Sequence, residues 1–228
     1  MRDMGQRVSR HLVLALDTCG EQGTVALADV EYDTGTVTCG EWRALGSRAA
    51  AAELMPAIAG LLGKARMTMA EVHALVLVHG PGSFTGIRVG LSTAKGLAYA
   101  VGTPIVAVSR LLVLEEASHV GSEAMAVLDA GRGEFYARYE GREWLATHEV
   151  VEAAARQGIR LVTMEERAAA RLAAWAPELV SAPDAVAAVR TALPRLRAED
   201  FDDVGALDAH YLRRSDAELF ARSAAASV

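Results

Sequence analysis

Cysteine is scarce: Cys19 and Cys39 are the only two in 228 residues, and they form no CxxC or Cys/His cluster. Such sparse usage excludes a disulfide framework and fits a reducing compartment, so both are read as packing residues. Long apolar runs are missing too. The apolar stretch around Ala74 to Val78 falls far short of the roughly 20 residues that a spanning helix needs, so no membrane span is expected. The polar start, Met1 to Arg10, lacks the apolar segment of a secretory signal; it reads as a ragged extension and predicts a cytoplasmic chain. Positive charge is in deficit. The 23 Lys and Arg stand against 29 Asp and Glu, a net charge of −6, which argues against holding RNA unaided but leaves room for a local basic face.

Several catalytic signatures are also absent. The histidines His11, His73, His79, His119, His148 and His210 form no HxxxH or HExxH pair, which argues against a metal site and makes each a surface or partly buried residue. There is no GxSxG elbow, and no serine or cysteine has a recognisable base nearby in sequence.

What is present is ample material for a core, with 52% hydrophobic residues. Residues 11–17 (HLVLALD), 24–30 (TVALADV) and 36–45 (TVTCGEWRAL) read as three consecutive strands joined by tight turns. Ala49 to Leu62 follows as a helix with Leu54, Ile58, Leu61 and Leu62 on one stripe, stopping at Gly63. After a capping box at Thr68 to Glu71, the pattern predicts a strand at His73 to Val78, a helix at Ile87 to Ala100, a strand at Pro104 to Ser109, and a helix at Arg110 to Ser118 capped by Ser109. The first half is therefore βββαβαβα, a mixed sheet covered by helices, which is the half-domain order of the actin and sugar-kinase class.

The second half starts the same way, with residues 124–130, a turn at Gly131 to Gly133, then 134–140 and 143–150 as strands, but it continues weakly. Helices are expected at Glu149 to Gln157, Glu165 to Ala174 and Asp184 to Leu196, with short strands at Arg160 to Thr163 and Glu178 to Val180. The expected fold is thus an α/β, actin/sugar-kinase-like (ASKHA) duplication with a truncated second copy: an N-terminal subdomain over 1–110 and a shortened C-terminal one over 111–228.

The most specific segment is the loop His79-Gly80-Pro81-Gly82-Ser83-Phe84-Thr85-Gly86-Ile87-Arg88 between strand and helix. Its glycines and proline set a tight backbone. It could hold a phosphate at a helix N-terminus, yet it fits neither GxxxxGK[ST] nor GxGxxG. The alternative is a rigid corner in which Ser83 or Thr85 caps the helix and Phe84 packs beneath. Along that helix Gly90, Ala94 and Ala98 form a ridge of small residues, with Gly96 nearby. Interior glycine costs about 1 kcal/mol relative to alanine, which suggests a closely packed second helix, from this chain or preferably from another subunit. On that reading Ala94→Arg breaks association and spares the fold. Asp17 and Thr18 end the first strand where kinase-like folds place an acid that meets phosphate-bound metal, and Asp129, Gly131, Gly133 and Glu134 repeat the arrangement. A third, adenosine-binding glycine loop is not found after Gly158. Near the C-terminus, Ala209 to Arg214 reads as a terminal strand or helix docked by Tyr211, or as a partner or RNA contact.

The stretches at 14–18, 79–98, 128–139 and 211–213 together resemble the TsaB (YeaZ) family of bacterial tRNA-modification proteins, shortened relatives of the glycoprotease-like catalytic subunit TsaD. The resemblance implies a non-catalytic scaffold or activator in making N6-threonylcarbamoyladenosine on tRNA. Its implied partners are a TsaD-type transferase, a TsaE-type ATPase, tRNA through the complex, and a second copy of itself when alone. The HxxxH metal pair of TsaD-type subunits has no counterpart here: the corresponding helix, Ser47 to Ile58, contains no histidine. No metal and no tightly bound cofactor are expected, with ATP or ADP reaching at most the interface of the complex. In the family the first two helices form the surface for self-pairing or the catalytic partner, which carries over to Leu54, Ile58, Leu61, Leu62, Ile87, Gly90, Leu91, Ala94 and Ala98. Arg132, Arg138, Arg142, Arg213 and Arg214 are candidates for RNA contact. The competing expectation is an enzyme with glycoprotease-like or ATPase activity, in which Asp17 and Asp129 flank a nucleotide.

Overall fold

In β1 (Arg10–Asp17) the run Leu-Val-Leu-Ala-Leu is buried on both sides. Alternate side chains of a strand point to opposite faces: Leu12, Leu14 and Leu16 enter one core layer, Val13 and Ala15 the other. The computed structural model containing this strand describes residues 10–118 and 121–213. The N-terminal extension, His119 and Arg214 lie outside the described residues.

β2 (Thr24–Glu31) and β3 (Thr36–Ala44) meander antiparallel beside β1. On its other side β4 (Ala74–Val78) and β5 (Ile105–Val108) run parallel, giving the order β3-β2-β1-β4-β5. The second sheet repeats this order. Its first strand, β6 (Ala124–Gly131), pairs antiparallel with β7 (Glu134–Tyr139), which pairs with β8 (Arg142–Thr147); on the other side it pairs with β9 (Arg160–Thr163), followed by β10 (Glu178–Leu179). The duplicated mixed sheet expected of the actin/sugar-kinase class is present.

Helices α1 (Ala50–Ala65) and α2 (Phe84–Val101) cover one face of the first sheet, while α4 (His148–Arg156) and α5 (Glu166–Arg171) cover one face of the second. The remaining faces are covered by exchange. α3 (Arg110–Ala117), which follows the first sheet, buries Leu111 and Leu114 against β6 and β9 of the second. α6 (Ala185–Arg197), which follows the second sheet, buries Val186, Val189 and Leu196 against the first.

Several boundaries differ from the sequence reading. α1 continues past Gly63 and ends at the left-handed Arg66, whose N–H returns to the Gly63 carbonyl while Met67 N–H returns to that of Leu62. α2 begins at Phe84, directly after its cap Ser83. The expected strand at 143–150 stops at Thr147, whose hydroxyl accepts from the Val150 N–H and starts α4 instead. Residues 209–211 are neither strand nor helix. Cys19 is buried, as a packing residue should be, whereas Cys39 is exposed on β3.

The largest correction concerns the stripe expected to meet a partner. Leu54, Ile58, Leu61, Leu62, Ile87, Gly90, Leu91, Ala94 and Ala98 are all buried inside this chain. The apolar stripe of an amphipathic helix seeks its own sheet first, and here α1 and α2 also pack on each other. What approaches the small ridge closely is the end of β1: a β-carbon at Gly90 would overlap the Thr18 hydroxyl. Ala94 is fully buried, so Ala94→Arg would disrupt the core rather than probe a surface.

Candidate functional site

Asp17 and Asp129 lie at the ends of corresponding strands, β1 and β6. Each accepts a hydrogen bond from the N–H two residues on, Asp17 from Cys19 at 2.8 Å and Asp129 from Gly131 at 3.0 Å. This Asx turn stabilises a tight exit from the strand. Burial raises the Asp17 carboxyl above its ordinary value, opposed by the Arg110 guanidinium and the Cys19 N–H. Cys19 donates its thiol to the Val78 carbonyl at 3.1 Å, and burial together with Asp17 pushes that thiol well up. A thiol so held is packing rather than a nucleophile.

The glycine-rich loop closes over this turn. Ser83 N–H donates to the Cys19 carbonyl at 2.7 Å, and the buried Thr18 hydroxyl donates to the Gly86 carbonyl at 2.7 Å. A β-carbon at Gly86 would overlap the Thr18 carbonyl oxygen, so glycine is required by close approach. Ser83 caps α2, its hydroxyl accepting from Gly86 N–H at 3.2 Å. Gly80 and Pro81 are buried, and the Gly80 carbonyl accepts from Arg110 N–H at 2.7 Å. The loop is a rigid corner tied to β1 and α3.

Phe84 does not pack beneath it. The ring is 47% exposed, with the Arg88 guanidinium 3.7 Å from its centroid and Tyr211 stacked at 5.3 Å. The Tyr211 hydroxyl accepts from Arg88 at 3.1 Å. Residues 209–213 therefore form a strap. His210 N–H donates to the His79 carbonyl at 2.9 Å, and Arg213 bonds the Gly131 carbonyl at 3.2 Å and Glu134.

Between the halves lies a cavity of about 680 Å³, lined among others by Thr18, Ser83 and Gly86 from one side and Asp129, Glu165 and Arg167 from the other. Thr18, the loop residues Gly82, Ser83, Thr85 and Gly86, and Asp129 thus converge, whereas Asp17 does not line the cavity. Gly131, Gly133 and Glu134 do not line the cavity; they form the β6–β7 turn, where Glu134 is held by Arg213. Phe84 and Arg88 border a separate shallow hollow with Ala51 and Val89.

Sequence reasoning missed the arginines and the glutamate that bridge the cleft. Arg110 is 7% exposed and pairs with Glu165 at 2.9 Å, while the other Glu165 oxygen accepts from Asp129 N–H at 2.8 Å. Burial disfavours the Arg110 charge, but Glu165 and Asp17 hold it above its ordinary value. The Asp129 carboxylate is itself clamped by Arg167 at 2.7 Å and by Arg171. Both acids that a kinase-like fold would turn toward metal and phosphate therefore face guanidinium groups. No spacing rule links residues 55 or 42 apart, so only the fold shows these pairs.

Among the RNA candidates, Arg138 is largely buried and bonded to Glu115 at 2.6 Å and Glu143 at 3.1 Å, which withdraws it from any ligand. Arg213 is held in the strap, and Arg132 and Arg142 are exposed. Glu143 also accepts from the Ser109 hydroxyl at 2.9 Å and lies 2.7 Å from His210 Nε2.

A family model described as TsaD, tRNA N6-adenosine threonylcarbamoyltransferase, matches residues 44–201. The chain belongs to that family. Within it, the chain is similar to proteins named tRNA threonylcarbamoyladenosine biosynthesis protein TsaB. It is 32% identical to the one from Escherichia coli over 58% of this chain, and 33% identical to the one from Bacillus subtilis over 54%. These matches span 56% and 52% of those relatives, so the chain covers about half of their length. The solved YeaZ from Pseudomonas aeruginosa superposes with a TM-score of 0.69 at 25% identity, covering 89% of this chain and all of that one. The chain therefore stands with the TsaB (YeaZ) members of the family. No helix among the described residues is long and apolar enough to cross a membrane.

Proposed function

We propose that this chain is a cytoplasmic, non-catalytic scaffold or activator in the synthesis of N6-threonylcarbamoyladenosine on tRNA, docking a TsaD-type transferase. The supporting observation is the state of the cleft: Arg110 beside Asp17, and Arg167 and Arg171 on Asp129, hold the acids that a phosphoryl-transfer site would offer to a metal. Any ATP or ADP then belongs to the assembled complex, with a TsaE-type ATPase, and tRNA is reached through the partner rather than by this acidic chain alone.

The docking face is the outward side of the same two helices whose inward side forms the core. Ala51, Met55 and Ala59 of α1 and Gly96 and Ala100 of α2 are exposed, and Met55 at 50% is the largest apolar group among them. Small residues around one apolar anchor suit close helix packing. The same face serves self-pairing when the partner is absent.

The test is light-scattering chromatography of this protein alone and with its organism's TsaD-type subunit, coupled to tRNA modification assays. A heteromeric species on which modification depends, lost on Ala59→Arg with the fold intact, is the expected result. Modification that proceeds equally without this chain overturns the reading. So does ATP turnover by the pure protein that disappears with Asp17→Ala, which favours the enzyme instead.

A further inference from the structure

The outer edge of the first sheet pairs with no strand among the described residues. β3 is its last member, bonded inward to β2, and most of its nine residues are exposed. An open edge of this kind offers a row of backbone donors and acceptors to another strand.

Three consecutive residues make this edge self-complementary. Trp42 is 54% exposed. It stands opposite Ala26 in the ladder, hence on the α6 side of the sheet. Glu41 and Arg43 flank it on the other side, next to α1: Glu41 pairs with Lys64 at 3.2 Å, and the Arg43 guanidinium reaches over Gly60. The two charges are opposite and equally spaced about the tryptophan.

We propose that β3 pairs antiparallel with β3 of a second copy of this chain, about a two-fold axis at Trp42. In that register Trp42 meets its own copy. Glu41 then faces Arg43 of the second copy, and Arg43 faces the second copy's Glu41. Residues directly opposite in an antiparallel ladder have β-carbons about 4.5–5.5 Å apart, within reach for ion pairs on one face and an aromatic pair on the other. A two-fold contact needs such a patch, complementary to itself. Shifting the register by two residues breaks both ion pairs, so the charges set the alignment. Gly40, the extra residue of the bulge between the pairs Leu27–Glu41 and Ala28–Cys39, bounds the straight segment and keeps the pairing short. A short seam makes a weak, concentration-dependent dimer. It uses none of the outward helix residues named above, so it stands or falls independently of that docking face.

The experiment is sedimentation equilibrium of the full chain carrying Met55→Glu, which places a charge at the centre of the helix face proposed above to oppose association there. A concentration-dependent dimer is expected. Adding Arg43→Glu, or separately Glu41→Arg, places like charges opposite each other twice and should raise the dimer dissociation constant by about tenfold or more. Combining Glu41→Arg with Arg43→Glu restores opposite charges and should return the constant toward that of the parent. Circular dichroism checks that each variant remains folded. A parent that stays monomeric, a dimer indifferent to either single reversal, or a double reversal that fails to recover would each overturn the proposal.

Discussion

The two strand-end turns, around Asp17 and around Asp129, are built to one plan but fastened by different means. In the first half the turn is gripped by backbone: the glycine-rich loop after β4 presses onto the Thr18 and Cys19 carbonyls and is followed by the eighteen-residue α2. In the second half the corresponding loop after β9 offers one side chain, Glu165, which reaches the Asp129 N–H, and is followed by the six-residue α5. A carboxylate has replaced a glycine loop, and Arg110 joins it to the first half. The difference shows how a duplicated fold can lose an element while keeping the contact that the element supplied.

Removing the joint should have the largest effect. Arg110→Ala leaves the half-buried Glu165 and Asp17 without their cation, so stability should fall by about 3 kcal/mol in urea unfolding. A loss under about 1 kcal/mol would mean that the halves are held mainly by their apolar layers. Gly86→Val attacks the backbone version of the same grip and should cost about 3 kcal/mol, because the Thr18 carbonyl cannot move aside without disturbing β1. Glu165→Gln tests the side-chain version; it keeps an acceptor for Asp129 N–H and should cost about 1–2 kcal/mol. If it equals Gly86→Val, the two fastenings are equivalent after all.

Acid should loosen the strap over the first half before it touches the second sheet. Burial lowers the His79 pKa from its ordinary 6.5, partly offset by the Asp208 carbonyl, with His210 lowering it further. The folded form thus holds the proton less well than the unfolded chain, and stability present above 6.5 is lost as pH falls below it. Burial alone would raise Glu143 from 4.5, but the bonds from His210 and Ser109 and the Arg138 charge outweigh burial and lower it. Its contribution is present above 4.5 and lost as pH falls through its depressed value. Melting temperature against pH should therefore decline in two stages, with His79→Gln flattening the first. The smallest effect belongs to Tyr211→Phe, which keeps the stack on Phe84 and removes the bond from Arg88, at about 0.5–1 kcal/mol by thermal melts.

Much of this was legible in the sequence because it rests on short-range pattern. The apolar run of β1, the cap at Ser83 and the repeated Asp-turn signal all report local geometry. The small ridge on α2 announced a close approach, yet spacing alone does not say what approaches: at Gly90 it is the Thr18 turn, and α1 of the same chain packs on α2 as well. Arg110, Glu165 and Arg171 carry no signal in the sequence, since a charge becomes structural only when the fold sets it beside its opposite. Phe84 was misplaced for the converse reason: an aromatic in a tight loop suggests burial, but Tyr211, 127 positions further on as 211 minus 84, supplies an external stacking partner.

The exchange of α3 and α6 bears on how the chain can be made. During synthesis the first sheet emerges complete at β5 while the face awaiting α6 still exposes Val13, Val30, Val76 and Val106. At ribosomal rates of about 5–20 residues per second, the covering helix arrives only after a delay on the order of seconds to tens of seconds. A nascent chain stalled before Ala185 would carry an open valine-rich surface, the kind of intermediate that chaperones bind. The order of emergence, and not final stability alone, then bears on how this protein reaches its folded state.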